Sequence, residues 1–129
     1  MKTLRLFFVL VAAATALSLS GCRQKGCTDA NACNYDADNE KDDGTCINKG
    51  KITFWFMTGA GHGTTTVTLN GTTAVISVEY SGTPSCDASG CATFNACPGA
   101  HSFTATDGVS SWSGSVSASE DGCITQRLL

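Results

Sequence analysis

The chain has 129 residues and a net charge of -3, and 15% of its residues are charged. A chain of this length has room for one small hydrophobic core, and therefore for a single domain of ordinary size. Its 8 lysines and arginines form no run of the kind that contacts a phosphate backbone. The composition therefore argues against a nucleic-acid-binding protein.

An apolar stretch runs from Leu4 to Leu19, with Lys2 and Arg5 at its basic start. It ends in small residues, and the polar residues that follow contain no stop-transfer pattern. These features are typical of a secretory signal peptide and not of a transmembrane span. The sequence therefore predicts a signal helix within residues 1–21 that is removed on export.

The signal closes with Leu19-Ser20-Gly21-Cys22, which resembles the lipobox of bacterial lipoproteins. The resemblance implies that the Cys22 thiol receives a diacylglyceryl group, that the chain is cut before Cys22, and that the new amine is acylated, for example with palmitate. Several acyl chains on one residue anchor a protein stably, whereas one chain holds it only marginally. Arg23 replaces the aspartate that retains lipoproteins in the inner membrane, so the resemblance implies an outer-membrane location in the cell envelope. The alternative is an ordinary secreted protein.

Eight cysteines in a short exported chain predict a set of disulfides, because the envelope is oxidising and small domains lack a large core. If Cys22 carries lipid, seven remain: Cys27, Cys33, Cys46, Cys86, Cys91, Cys97 and Cys123. An odd number predicts at least one thiol that is unpaired, intermolecular or bound to another group.

Residues 22–49 show neither the period of a strand nor that of a helix, and are predicted to form an irregular loop segment stapled by disulfides. The text from Gly26 to Cys46 resembles a cysteine-rich repeat of exported Gram-negative proteins, GCTDxxAxNYxxxAxxDDGSC. That resemblance names no activity. It implies a bridge between the outer cysteines, Cys27 and Cys46, which contributes roughly 3 kcal/mol by restricting the unfolded chain.

The same segment concentrates carboxylates, which are the oxygen ligands that calcium prefers. The start resembles an EF-hand loop, but Lys41 replaces the glycine of the sharp turn and Ile47 replaces the final glutamate. A calcium loop of the thrombospondin type 3 kind and a merely solvated acidic loop are the remaining alternatives. The candidate calcium ligands are Asp36, Asp38, Glu40, Asp42 and Asp43.

Residues 50–129 alternate apolar residues with Thr, Ser and Gly, which is the pattern of half-buried strands. Asn70-Gly71 and Asp107-Gly108 each separate two such runs and predict hairpin turns. On the strand after the second turn, the alternating apolar residues from Trp112 to Ala118 predict a face that packs against the core. The serines between them predict a face that is exposed to solvent. Six or seven short strands at regular spacing predict an all-β sandwich.

The layout of this half resembles small β-sandwich domains of the carboxypeptidase regulatory or transthyretin-like kind, which are immunoglobulin-like in architecture. The resemblance rests on four stretches: Gly50-Lys51-Ile52-Thr53-Phe54, Ser81-Gly82-Thr83-Pro84, Cys91-Ala92-Thr93-Phe94 and Trp112-Ser113-Gly114. It departs at Ala96-Cys97-Pro98-Gly99, where such domains carry a Pro-Ala-Gly-Thr-Tyr turn.

Cys86 and Cys91 are close enough in sequence to clamp a loop, and we predict a bridge between them. Cys97 then pairs with Cys123, or Cys33 pairs with one of these two and ties the loop segment to the sandwich. A zinc site formed by Cys86, Cys91, Cys97 and His101 is a further alternative, although its spacing matches no familiar zinc motif.

No Gly-x-Ser-x-Gly elbow and no Cys-x-x-Cys pair stands in the sequence, so we predict that the protein is not an enzyme. The segment Gly59–Gly63 lacks the Gly-Lys-Ser/Thr ending of a phosphate-binding loop and is predicted to be a flexible hairpin loop. His62 within this loop could bind a metal or a ligand only if a second polar side chain lay beside it.

We therefore expect a lipid-anchored envelope protein with a structural or adhesive role, and a calcium-responsive envelope module as the alternative. Loops and exposed aromatic residues of small sandwiches are common contact points. The expected contacts with a glycan or protein ligand are the loop Gly59–Gly63, the loop Cys86–Cys91 and an exposed Trp55.

Overall fold

The structure, a computed structural model, describes residues 23–129. The predicted signal helix and the predicted lipid attachment at Cys22 lie outside these residues. Within the described range all regular structure is β, and it comprises ten strands: β1 (Lys25–Gly26), β2 (Lys41–Asp42), β3 (Gly50–Met57), β4 (Thr65–Leu69), β5 (Thr72–Ile76), β6 (Glu79–Tyr80), β7 (Ala92–Ala96), β8 (Gly99–Thr106), β9 (Ser111–Ala118) and β10 (Cys123–Arg127). The predicted all-β class is confirmed.

Two four-stranded sheets form the body of the molecule. In the first sheet, β3 is central: β10 runs parallel beside it, β7 pairs antiparallel with Gly50–Phe54, and β6 pairs with Phe56 and Met57. The second sheet is antiparallel throughout, in the order β5-β4-β8-β9. A separate pair, β1 with β2, belongs to the loop segment before the sandwich.

The hairpins predicted at Asn70-Gly71 and at Asp107-Gly108 are present. β4 and β5 are joined by Asn70-Gly71, whose φ angles of 51° and 78° are the positive values that a two-residue hairpin turn requires. β8 and β9 are joined through Asp107–Ser110, and Thr106 pairs with Ser111 across the turn. These turns fix the strand register, so most apolar residues of the second sheet point to the core side, with Val75 of β5 exposed on the outer side.

The hydrophobic core lies between the two sheets. Phe54 of β3 is completely buried, and its ring centroid lies 4.7 Å from that of Phe103 in β8 and 5.9 Å from that of Phe94 in β7. The other buried side chains of this core are Ile52, Phe56, Val67, Leu69, Ile76, Ala92, Ala96, Ala105, Val116, Ala118 and Leu128. As predicted, Val116 and Ala118 of β9 face this core, and the alternating serines of β9 face solvent.

Three disulfides stabilise the chain, and they join Cys27 to Cys46, Cys33 to Cys97, and Cys86 to Cys123. The first is the bridge that the repeat implies. The second ties the loop segment to the sandwich, which was one of the open alternatives. The structure contradicts the predicted alternatives Cys86–Cys91 and Cys97–Cys123, and the zinc cluster as well, because Cys86 and Cys97 are both oxidised to other partners.

The predicted Cys86–Cys91 bridge is wrong because strand pairing brings a more distant cysteine to Cys86. β10 lies beside β3, and this places Cys123, at the start of β10, next to Cys86. Among the described cysteines, Cys91 alone is unbonded, and it is half-buried. The odd thiol that the cysteine count predicts therefore falls on Cys91.

The predicted exposure of Trp55 is also wrong: Trp55 is only 4% exposed. Alternation along β3 does turn Trp55 away from the core, but the outer face of this sheet is covered. The connection from β6 to β7 crosses it, since Cys86 is bonded to β10 and Asp87 forms an ion pair with Lys51 of β3. Thr53, on the same outer face, is fully buried and lies 2.9 Å from Thr93, oxygen to oxygen.

The loop segment of residues 23–49 is attached at one end of the sandwich, which we call the proximal pole. Besides the Cys33–Cys97 bridge, Asn48 donates hydrogen bonds to the carboxylates of Glu120 and Asp121 at 2.9 and 3.1 Å. The opposite end, the distal pole, carries the loop Gly59–Gly63 and the turn Asp107–Ser110. An eight-residue strand such as β3 separates the two poles by about 25 Å.

Candidate binding site

The loop Gly59–Gly63 is held in place by one carboxylate. Glu79 accepts hydrogen bonds from the backbone N–H of Gly59 at 2.7 Å and of Gly61 at 3.0 Å. Both glycines have positive φ angles, 91° and 73°, which residues with a side chain rarely adopt. The predicted hairpin is wrong here, because the loop connects β3 of one sheet to β4 of the other and therefore crosses between the sheets.

His62 is fixed at the distal pole by aromatic contacts and by one carboxylate. Its ring centroid lies 4.8 Å from that of Phe56 and 4.7 Å from that of Trp112, almost perpendicular to the indole. Its Nδ1 lies 3.2 Å from Oδ2 of Asp107. Asp107 is therefore the second group that the sequence analysis required beside His62. It lies 45 residues further along the chain, and no short-range pattern in the sequence indicates this contact.

Asp107 organises the β8–β9 turn with the same carboxyl group. Its Oδ1 accepts hydrogen bonds from the backbone N–H of Ser110 at 2.6 Å and of Val109 at 2.8 Å. The Ser110 N–H, then the Val109 N–H and then His62 lower the pKa of Asp107 below its ordinary value of 3.8, because all three favour the charged form. The turn is therefore best formed when Asp107 is ionised.

We expect Asp107→Asn to lower the melting temperature at about pH 7, because the charge beside His62 is lost while the amide oxygen still accepts the turn's hydrogen bonds. A carboxyl with a lowered folded-state pKa contributes stability above its unfolded pKa and loses it as the pH falls through the folded value. The difference from the wild type should therefore narrow when the pH is lowered to about 2. Thermal denaturation at both pH values tests this.

Asp38→Asn is the matched control, since it removes the same charge from an exposed carboxylate that accepts no hydrogen bond in the described chain. It should leave the melting temperature close to that of the wild type at both pH values. A deficit of Asp107→Asn that persists undiminished at about pH 2 would contradict the role assigned to the ionised carboxylate.

Hydroxyl groups form two rows across the outer face of the second sheet. In one row Thr66 of β4 lies opposite Thr106 of β8, which lies opposite Ser111 of β9. The next row is built in the same way. We call these six residues the hydroxyl face: Thr66, Thr68, Thr104, Thr106, Ser111 and Ser113.

The hydroxyl face lines an open groove of about 390 Å³, which Trp112 and Ala105 complete. Neighbouring hydroxyls in a row lie about 5 Å apart because adjacent strands have that spacing. The hydroxyl of Thr106 already makes hydrogen bonds within the β8–β9 turn, and each of the other hydroxyls can both donate and accept hydrogen bonds. Such a surface suits a ligand that carries many hydroxyl or amide groups of its own.

The predicted calcium ligands are spread along the loop segment, and three of them stabilise turns. Asp36, Asp42 and Asp43 each accept a hydrogen bond from the backbone N–H two residues further on. The hydroxyl of Thr45 lowers the pKa of Asp43, and Glu40 pairs with Arg23 at 3.5 Å. Within residues 23–129 no group of three or more His, Cys, Asp or Glu side chains is arranged to hold a metal ion. Calcium binding here stays a prediction, which calorimetry with calcium chloride tests.

His101 and Cys91, which the sequence also offered as zinc ligands, contact neutral groups or are partly buried. His101 accepts or donates at both ring nitrogens: Nε2 lies 2.7 Å from the carbonyl oxygen of Cys97, and Nδ1 lies 2.9 Å from Nδ2 of Asn70. Burial raises the pKa of the Cys91 thiol, which keeps it protonated and weakly nucleophilic.

Comparison of the chain with known protein families, with curated proteins and with solved structures finds no match. In the part of the chain that the structure describes, no helix is long and apolar enough to cross a membrane.

Proposed function

We propose that this protein is a lipid-anchored, outer-membrane binding module of the cell envelope with a structural or adhesive role. In this proposal Cys22 carries the lipid and the sandwich, of the immunoglobulin-like or transthyretin-like kind, presents the hydroxyl face to a glycan. The anchor is supported by the lipobox-like sequence that precedes residue 23. The module is not an enzyme in this proposal, because the hydroxyl face holds many equivalent weak donors and acceptors and no activated nucleophile.

The observation that carries the proposal is the placement of the groove relative to the attachment point. The loop segment joins the sandwich at the proximal pole through Cys33–Cys97 and Asn48. The groove lies on the outer face of β4, β8 and β9 and extends to Ser111, where β9 leaves the distal pole. A lipid on Cys22 therefore leaves the groove free to meet a ligand beyond the membrane surface.

The chemistry of the groove favours a glycan over an apolar peptide. Each neutral hydrogen bond contributes only about 1 kcal/mol net, so affinity must come from several hydroxyls acting together. Thr68 and Thr104 face each other directly across β4 and β8 at the centre of the face. A polysaccharide that lies across the strands can bond to successive members of a row.

Binding is tested with the full-length protein extracted in detergent and applied to a glycan array. The wild type should bind at least one class of glycan, and the double variant Thr68→Val/Thr104→Val should bind it about thirtyfold more weakly, because two hydrogen bonds of about 1 kcal/mol each are lost without a change in shape. Ser115→Ala/Ser117→Ala is the matched control, since these serines lie on the same face of β9 outside the groove. Equal binding by the threonine double variant and the wild type would contradict the proposal that the hydroxyl face binds a glycan.

The lipid anchor is tested separately by the intact mass of protein extracted from membranes. The expected species begins at Cys22, carries added acyl mass and has one thiol open to alkylation without reduction. A chain without acyl mass would overturn the anchor and leave the binding role to be judged on the array alone.

A further inference from the structure

A second cavity, of about 330 Å³, lies on the outer face of the first sheet, across the sandwich from the hydroxyl face. It is lined by Trp55 and Met57 of β3, Thr125 and Arg127 of β10, and Gly82 and Thr83 of the connection after β6. β10 runs parallel beside β3 with Arg127 opposite Trp55, so the pairing places the guanidinium and the indole on neighbouring strands. The volume is at the lower end of the range for small-molecule sites.

Trp55, one of the residues that line this cavity, carries an unused hydrogen-bond donor. Trp55 is 4% exposed, and within residues 23–129 its Nε1 has no hydrogen-bond partner. The indole of Trp112, by contrast, donates to the carbonyl oxygen of Leu129 at 2.8 Å. A buried N–H without a partner costs free energy, and such groups in folded proteins usually have a ligand, an ion or a water as their partner.

Arg127 supplies an unpaired positive charge at the same cavity. No carboxylate of the described chain lies within 4.0 Å of its guanidinium, whereas Arg23 pairs with Glu40 and Lys51 pairs with Asp87. The polar contact of Arg127 is the sulfur of Met57, at 3.9 Å from Nη1. A guanidinium with free N–H groups matches a carboxylate in a two-point geometry.

We propose that this cavity binds a small organic carboxylate of the size of a uronic acid. Its carboxylate pairs with Arg127, an oxygen of the ligand accepts the N–H of Trp55 once the exposed Gly82–Thr83 wall moves aside, and the hydroxyls of Thr83 and Thr125 bond to the ligand's own hydroxyls. The site is separate from the hydroxyl face and does not depend on the function proposed for that face.

The two tryptophans of the chain allow the site to be observed directly. We would record the two indole N–H resonances of the full-length protein in detergent by nitrogen-15 NMR, assign them with Trp112→Phe, and titrate with sodium glucuronate. The Trp55 resonance should move with saturation while that of Trp112 stays in place. Glucose, which replaces the carboxylate by a hydroxymethyl group, should bind about tenfold more weakly or not at all.

Two variants separate binding from stability. Arg127→Gln should weaken glucuronate binding about tenfold or more, because an exposed side chain is changed and the ion pair is lost. Arg23→Gln removes the same charge far from the cavity and should leave the titration unchanged. The proposal is overturned if glucuronate leaves the Trp55 resonance unmoved, if glucose moves it equally, or if Arg127→Gln binds like the wild type.

Discussion

Removal of the Cys33–Cys97 bridge by the double substitution Cys33→Ala/Cys97→Ala is expected to lower the free energy of unfolding by about 4 kcal/mol. The bridge closes a loop between residues 64 apart in sequence, the longest of the three, and so restricts the unfolded chain most. For a domain of this size the loss corresponds to a fall in melting temperature of roughly 15 to 30 °C. Thermal and urea denaturation under non-reducing conditions measure it.

The same substitution should release the loop segment, because its remaining side-chain links to the sandwich are the bonds from Asn48 to Glu120 and Asp121. Limited proteolysis is expected to cut within residues 23–49 in the variant and not in the wild type. Cys91→Ala is the control, since it removes a cysteine and leaves all three bridges intact. A double variant that melts within a few degrees of Cys91→Ala would show that the bridge is not a major source of stability.

Phe54→Ala is expected to lower the free energy of unfolding by about 3 to 5 kcal/mol, the usual cost of truncating a buried phenylalanine. Phe54 is completely buried at the centre of β3, and its ring contacts those of Phe94 and Phe103, one in each sheet. The substitution leaves a cavity between the two layers that rigid strands cannot collapse to fill. Urea denaturation should show an earlier midpoint with a similar slope.

Val109→Ala is the control for this truncation, because Val109 is 96% exposed in the β8–β9 turn and its methyl groups contact mainly water. Its expected effect on the free energy of unfolding is within about 0.5 kcal/mol. A loss of under about 1 kcal/mol in Phe54→Ala would mean that the two sheets are not held together by this residue.

Local signals in the sequence were enough to predict two of the hairpins, but not the eight strands of residues 50–129 or the crossing between sheets at Gly59–Gly63. Asn70-Gly71 predicts a hairpin because both residues tolerate positive φ angles, and Val67 and Leu69 before it alternate inward, as the structure has them. The serine-rich face of β9 is predictable for the same reason, since alternation within one strand decides which side chains meet water.

Non-local pairing accounts for the features that sequence reasoning missed. Alternation places Trp55 outside the core, but its burial depends on where the connection between β6 and β7 crosses the sheet. His62 meets Asp107 because β4, which follows His62, pairs with β8, which precedes Asp107. The partner of Cys86 depends on β10 lying beside β3, which the spacing of cysteines does not indicate.

The order of the cysteines along the chain has a consequence for how the protein matures. Each bridge of the described chain skips at least one other cysteine: Cys27–Cys46 spans Cys33, Cys33–Cys97 spans Cys86, and Cys86–Cys123 spans Cys91. An oxidase that joins thiols in the order in which they emerge from a translocation channel would therefore form the wrong pairs first. Thiol–disulfide exchange takes seconds to hours and is far slower than strand pairing. For an exported chain, the rearrangement of such first-formed pairs is then expected to limit the rate at which native molecules accumulate.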